Sequence, residues 1–225
     1  MKNPRKTNVN HRPRGETQHM TKTKTKRAKH VQDPLGRRFH QAFLLAARMH
    51  SGQTRKKTTV PYIAHLMSVS ALVIEAGCDE DVAIAALLHD VVEDCGGRPM
   101  LNEVRRRFGP RVADIVEGCT DSYGEPKRPW KRRKIEYLRH LKTAAGNVRL
   151  VSTADKLHNA RSILADYKKS GEVVWQRFAG KREGTLWYYR ALVKELRRKK
   201  NPLVDQLSLV VGELERLAAS RRKPS

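Results

Sequence analysis

"AALLHDVVEDC", residues 85–95, sets His89, Asp90, Glu93 and Asp94 into a run of Ala, Leu and Val. Charged side chains are seldom fully buried unless they are paired or bound to a metal. On a helix, His89 and Glu93 share a face at spacing i, i+4, and so do Asp90 and Asp94. An amphipathic helix with one wet edge would explain an ordinary case. Here Leu87, Leu88, Val91 and Val92 crowd the acids. The polar edge is narrow, and its partners must come from elsewhere in the chain.

The flanking sequence reads as helices almost throughout. Asp33 followed by Pro34 has the form of an N-cap with proline at the first helical position. The helix it opens carries Phe39, Phe43, Leu44 and Ala47 on one side and ends near Gly52. Pro61 starts a second helix bearing Ile63, Leu66, Val69 and Leu72, which Gly77 stops. The opening stretch forms a third, ended by Gly96 and Gly97. "MLNEVRRRFGPRVADIVEGC" (100–119) reads as two helices broken at Gly109-Pro110. "PWKRRKIEYLRHL" (129–141), "LVSTADKLHNARSIL" (150–164) and "GTLWYYRALVKEL" (184–196) give three more. A last helix carries Leu203, Leu207, Val210, Val211 and Leu214. No run alternates apolar and polar residues, and no internal repeat is found. The class is all-α.

A chain of 225 residues suits one domain with tails. Its three cysteines, Cys78, Cys95 and Cys119, are widely spaced. They argue for a reducing compartment and against a disulfide framework or a zinc ribbon. The N-terminus is basic with no apolar core, so no secretory signal is read, and no apolar run reaches the roughly 20 residues that cross a bilayer. The expectation is a soluble, cytoplasmic protein without membrane contact. A formal net charge of +24 favours polyanionic partners. Much of that excess lies in residues 1–30, which have scarcely any large apolar side chain and read as disordered. These basic tails suit nonspecific contact with RNA or another polyanion.

Two further polar residues sit in apolar helical settings: His65 in "PYIAHLMSV" (61–69) and Asp155 in "STADKLHNAR" (152–161). A lone histidine of this kind is usually a packed core residue, and a lone aspartate a hydrogen bonder. Two histidines and two aspartates together point instead to a divalent cation, because mixed imidazole and carboxylate donors suit Mn²⁺, Fe²⁺ or Zn²⁺.

The series His65, His89-Asp90 and Asp155 resembles the H…HD…D signature of the HD-domain phosphohydrolases. "RKKTTVPYIAH" (55–65), "AALLHDVVEDC", "FGPRVADIVEGCTD" (108–121) and "LVSTADKLHNAR" (150–161) resemble, more narrowly, the hydrolase domain of the RelA/SpoT family. The resemblance runs from about residue 35 to about residue 196. It implies an HD-domain helical bundle over 33–200 with a metal site between helices, preceded by the basic tail of 1–32. A C-terminal helix and basic tail follow over 201–225. It also implies a stand-alone small alarmone hydrolase of the stringent response. The reaction would be metal-dependent removal of the 3′-pyrophosphate of (p)ppGpp, with Mn²⁺ as cofactor.

On the family pattern His65, His89, Asp90 and Asp155 hold the metal. Glu93 accepts a proton from the attacking water, and Asp94 orients that water or a neighbour. Arg55 and Lys56 lie along the base and ribose, where a guanidinium can stack on a purine. Asn159, one turn after Asp155, faces the ribose or a phosphate, while His158 is expected to pack elsewhere on its helix. Lys131 to Lys134 and Arg182 meet the outer phosphates, which need several donors. Two alternatives stay open. One is an HD hydrolase for an adenine alarmone or the 2′-phosphate of NADPH, and the other is a nucleic-acid-binding protein on an HD scaffold. The oligomeric state is left open.

Overall fold

The computed structural model describes residues 35–121, 123 and 128–220. Within them lie ten α-helices and one short 3-10 helix, with no strand beyond an isolated bridge between Thr54 and Pro61. The helix start expected at Asp33-Pro34 falls outside these residues, as do the basic tail of 1–32 and the last residues of the C-terminal tail. The first described helix, α1, is Arg37–Met49, entered from Gly36.

Helix α2 (Ile63–Glu75) ends where Gly77 takes φ +80°, a left-handed conformation that side chains resist. Asp79 then caps α3 (Glu80–Leu88), accepting a hydrogen bond from the Val82 amide at 3.2 Å, and Glu80 and Asp81 complement the dipole of its first turn. Every residue of α3 from Val82 to Leu88 is buried. Such a helix can only be central: it packs against α1, α2, α6 (Pro110–Cys119) and α8 (Gly146–Ser170). Each large aliphatic residue buried there contributes about 1.5–3 kcal/mol.

The run 85–95 is two helices rather than the single one expected. Helix α3 stops at Leu88, His89 and Asp90 form a turn, and α4 (Val91–Cys95) follows. Asp90 sits at φ −98°, ψ −8°, off the regular helical values. Adjacent residues of a straight helix point about 100° apart, so this bend is what brings His89 and Asp90 to one centre. Gly96 ends α4 as expected, whereas Gly97 does not. Gly96 separates α4 from α5 (Gly97–Phe108), and Gly97 begins that helix.

Helix α8 is the second axis of the bundle. Its Arg149 is fully buried, yet its guanidinium donates to the carbonyl of Leu141 near the end of α7 (Trp130–Thr143). It donates also to the carbonyls of Glu195 and Leu196 at the end of α9 (Lys181–Leu196), at 2.8 and 3.0 Å. One cation thus binds carbonyls in the last turns of two helices, where it also complements their dipoles. Helix α10 (Val204–Ser220) packs on α8 and α9 through Leu207, Val211 and Leu214. Between α8 and α9 runs the 3-10 turn Gly171–Arg177. Helices α7 and α9 meet through the Trp130 indole, which lies against Gly180 and Gly184. A Cβ at Gly180 would come within 2.6 Å of that ring.

A candidate metal centre at the head of a basic cavity

His65 from α2, the His89-Asp90 turn and Asp155 from α8 converge. One ligand atom each from His65, His89 and Asp155 lies within 4.8 Å of the others, and all three residues are buried. Asp90 Oδ2 joins them at 3.0 Å from His89 Nε2 and 3.6 Å from His65 Nε2. Asp155 Oδ1 is 3.3 Å from His65 Nε2 and 3.9 Å from His89 Nε2.

The outer faces of both imidazoles are tied. His89 Nδ1 donates to the Ala86 carbonyl at 2.8 Å, which leaves Nε2 as the lone-pair nitrogen. His65 Nδ1 lies 2.7 Å from His158 Nδ1. Burial, then the neighbouring His65 and Arg55, push His158 down to about 4, so it is neutral near pH 7 and one of its nitrogens carries a lone pair. His158 therefore backs a candidate ligand instead of packing elsewhere on the helix. Among the described residues both Nε2 atoms are buried without a well-directed hydrogen bond, with the Asp90 and Asp155 oxygens 3.0 to 3.9 Å away. Such orphaned atoms are rare in native cores, and two aimed at two carboxylates fit a divalent cation.

Without a cation the cluster is an ion network. Burial alone would lower the His89 pKa, but the Asp90 carboxylate, aided by Asp155, raises it to about 9. Burial would raise Asp155, yet Lys156, His65 and His89 hold it well below the usual carboxylate range. Asp90 behaves likewise against His89 and His65. Tyr62 donates to Asp90 Oδ2 at 2.6 Å, and burial together with that carboxylate pushes its phenol up.

Through His65 the cluster borders a cavity of about 730 Å³, room for a nucleotide. Glu93, Arg55, Lys56 and Asn159 line it, as does His158. Glu93 Oε2 accepts the Asp121 amide at 3.3 Å. Arg55 lies over the Tyr62 ring at 5.5 Å and donates to Asn159 Oδ1. Asn159 in turn donates to Asp155 Oδ1 at 2.5 Å. Its amide therefore links the Arg55 loop to the cluster from the cavity wall. Asp94 does not line the cavity; it accepts from Gln53 Nε2 at 3.3 Å, on the side where His50 stacks on Tyr62. Arg182 is also placed elsewhere: its guanidinium donates to the Ala218 carbonyl of α10. Of the run 131–134, Arg133 and Lys134 reach the cavity, whereas Lys131 covers the Trp187 ring.

Three groups were not singled out from the sequence. Tyr62 lies within "PYIAH" itself. Lys156 follows Asp155 and pairs with its carboxylate, which raises the Lys156 pKa against the effect of burial. Asp121 closes "EGCTD" and holds Arg133 and Lys134 at 2.6 and 2.5 Å.

An all-helical bundle that gathers two histidines and two aspartates from three separate segments defines a metal-site domain of the histidine–aspartate kind. The HD domain pattern matches residues 42–186, and the chain belongs to the HD domain family. Its relatives include the Drosophila melanogaster guanosine-3′,5′-bis(diphosphate) 3′-pyrophosphohydrolase MESH1, 36% identical over 129 residues, or 56% of this chain and 69% of that protein. The mouse counterpart is 40% identical over 121 residues, covering 52% and 65%. The bifunctional (p)ppGpp synthase/hydrolase SpoT of Escherichia coli is 35% identical over 130 residues, 56% of this chain but 18% of SpoT. The chain thus spans under a fifth of such bacterial relatives. Among solved structures, a metazoan ortholog of SpoT, described as hydrolysing ppGpp, superposes with TM-score 0.61 at 28% identity, covering 83% of this chain and 97% of that one. A Listeria monocytogenes protein gives TM-score 0.59 at 26% identity, covering 68% and 99%. No helix among the described residues is long and apolar enough to cross a membrane.

Proposed function

We propose that this chain hydrolyses the 3′-pyrophosphate of guanosine alarmones, converting (p)ppGpp and water to GDP or GTP and pyrophosphate. One observation carries the reading: the His65, His89, Asp90 and Asp155 cluster borders, through His65, a cavity that holds Glu93 and the cations Arg55, Lys56, Arg133, Lys134 and Lys156. The names of the relatives point the same way.

The four clustered residues hold a divalent ion, with Mn²⁺ our choice among the borderline metals. When bound, such an ion supplies Lewis acidity and lowers the pKa of its water. Glu93 takes the proton of the attacking water, as its place on the cavity and the Asp121 amide on its far oxygen support. Arg133, Lys134 and Lys156 neutralise the phosphoryl oxygens. Arg55 and Lys56 bind the nucleoside, Arg55 from its perch over Tyr62, and Asn159 keeps Arg55 in register with Asp155. Asp94 acts through Gln53 on the His50–Tyr62 stack. Arg182 serves α10 and leaves the phosphates to Arg133 and Lys134. We assign catalysis to residues 33–200, α10 to bracing α8 and α9, and the basic tails to nonspecific RNA contact in the cytoplasm.

The test is a nucleotide panel with Mn²⁺, before and after chelation. It should include ppGpp, pppGpp, an adenine alarmone, NADPH and GDP. Metal-dependent release of pyrophosphate from the first two, with GDP inert, is expected. Phosphate release from GDP or NADPH at equal rate would replace the reading with that of a broader nucleotidase.

A further inference from the structure

We propose that Asp121 is a positioning residue for phosphate binding: its carboxylate aims Arg133 and Lys134 into the cavity while its amide fixes the proton acceptor Glu93. The inference rests on the hydrolase reading for the role of Glu93, and on geometry alone for the two cations.

Asp121 follows the end of α6, where the Thr120 hydroxyl turns back to the Val116 carbonyl at 3.0 Å. Its side chain is 8% exposed, so the carboxylate needs partners. Oδ1 accepts from Arg133 NH1 at 2.6 Å and Oδ2 from Lys134 Nζ at 2.5 Å. Short charge-assisted bonds of this kind are about twice as strong as neutral ones. Arg133 is pinned a second time, its Nε donating to the Arg128 carbonyl at 3.2 Å. Both residues also line the cavity wall, so the carboxylate holds them at the edge of the ligand space.

Two cations sharing one carboxylate leave a net charge of +1, and Lys156 and the Tyr188 ring stand close by. Burial would raise the Asp121 pKa, but Lys134 and Arg133 hold it at about 2, so the tie persists at any working pH. Burial and the nearby Lys156 lower the Lys134 pKa, and Asp121 is the group that opposes them. Removing the carboxylate adds net positive charge, which by itself would draw anions. It also frees two long side chains from one geometry and leaves Lys134 and Lys156 unshielded from each other. Orientation outweighs the added charge, because a chelated phosphate needs its donors aimed together. The same residue donates its main-chain N–H to Glu93. A side-chain substitution spares that bond, so binding and catalysis separate.

Asp121→Asn keeps shape and amide. Titrating inorganic pyrophosphate into full-length protein should show Kd raised about tenfold in the variant. With (p)ppGpp, KM should rise by a similar factor while kcat stays within about threefold, the signature of lost ground-state binding. Lys134→Gln alone should weaken pyrophosphate binding, and adding Asp121→Asn should cost less than it does in the wild-type background, since both act through one contact. This cycle also decides the case if Asp121→Asn alone folds poorly. Unchanged or tighter pyrophosphate binding by Asp121→Asn, strictly additive effects in the cycle, or no pyrophosphate binding by the wild type would each overturn the proposal. Failure of the wild type to cleave (p)ppGpp would overturn the hydrolase reading instead, with the pyrophosphate titration still deciding on Asp121.

Discussion

Helix α8 carries two buried ionic residues less than two turns apart, Arg149 and Asp155, and they are solved in opposite ways. Arg149 meets main-chain carbonyls at the ends of α7 and α9, groups that cannot titrate or move without unfolding those ends. Asp155 meets side chains: His65, Asn159 and Lys156. Around Arg149 each acceptor is a main-chain carbonyl in the last turn of a helix. Around Asp155 two imidazole nitrogens, among the described residues, face only carboxylate oxygens and make no well-directed hydrogen bond. A buried charge answered by backbone is architecture. One answered by titratable imidazoles and carboxylates, which can exchange protons for a cation, is a place for a ligand.

That contrast can be broken most sharply by exchanging consequences. Asp155→Asn, and equally Asp90→Asn, should abolish turnover and strip bound metal while the protein stays folded. Wild-type rate and metal content in either variant would end the assignment of the centre. Arg149→Leu should do the reverse, lowering stability by roughly 3 kcal/mol as buried carbonyls lose a charged donor. Metal binding by its folded fraction should be unaltered, as denaturant melts with and without Mn²⁺ would show.

A smaller effect separates chemistry from binding at the same centre. Glu93→Gln should reduce kcat on the order of 10²-fold, the usual cost of a lost general base. Bound metal should be unchanged, and metal loss would make Glu93 a ligand.

The smallest expected effect is graded with pH. The metal-free His89 pKa, raised to about 9 from an ordinary 6.5, means that its proton stabilises the fold. That contribution is complete below pH 6.5 and is lost as pH climbs through about 9. A metal must displace the same proton. Metal affinity should therefore rise about tenfold per pH unit across that window, while metal-free stability declines. Calorimetric titrations in buffers of different ionisation enthalpy would count the proton released.

The helical class, the break at Gly109-Pro110 and the four clustered residues were legible because each rests on local spacing or on a motif. What spacing could not supply was direction. His89 and Asp90 are neighbours that a straight helix would splay, and only the bend between α3 and α4 turns them together. His158 was misplaced for a simpler reason: three residues beyond Asp155 is the same helical face as four, so it shares the side of Asp155 with Asn159. Arg182 lies in a basic, aromatic helix but faces α10. Its rotation about α9 depends on a partner helix that the local sequence does not reveal. Asp121 and Lys156 were missed because an acid beside a tight turn and a lysine beside an acid are ordinary surface patterns until burial makes them partners.

The indole of Trp130 gives the molecule an unusual sensitivity. It lies against Gly180 and Gly184 and also forms part of the cavity wall. Any side chain at Gly180 must push that ring, which lines the space a substrate needs. A saturation mutagenesis screen scored only by activity would therefore rank two glycines beside the metal-site histidines, although neither carries a functional group.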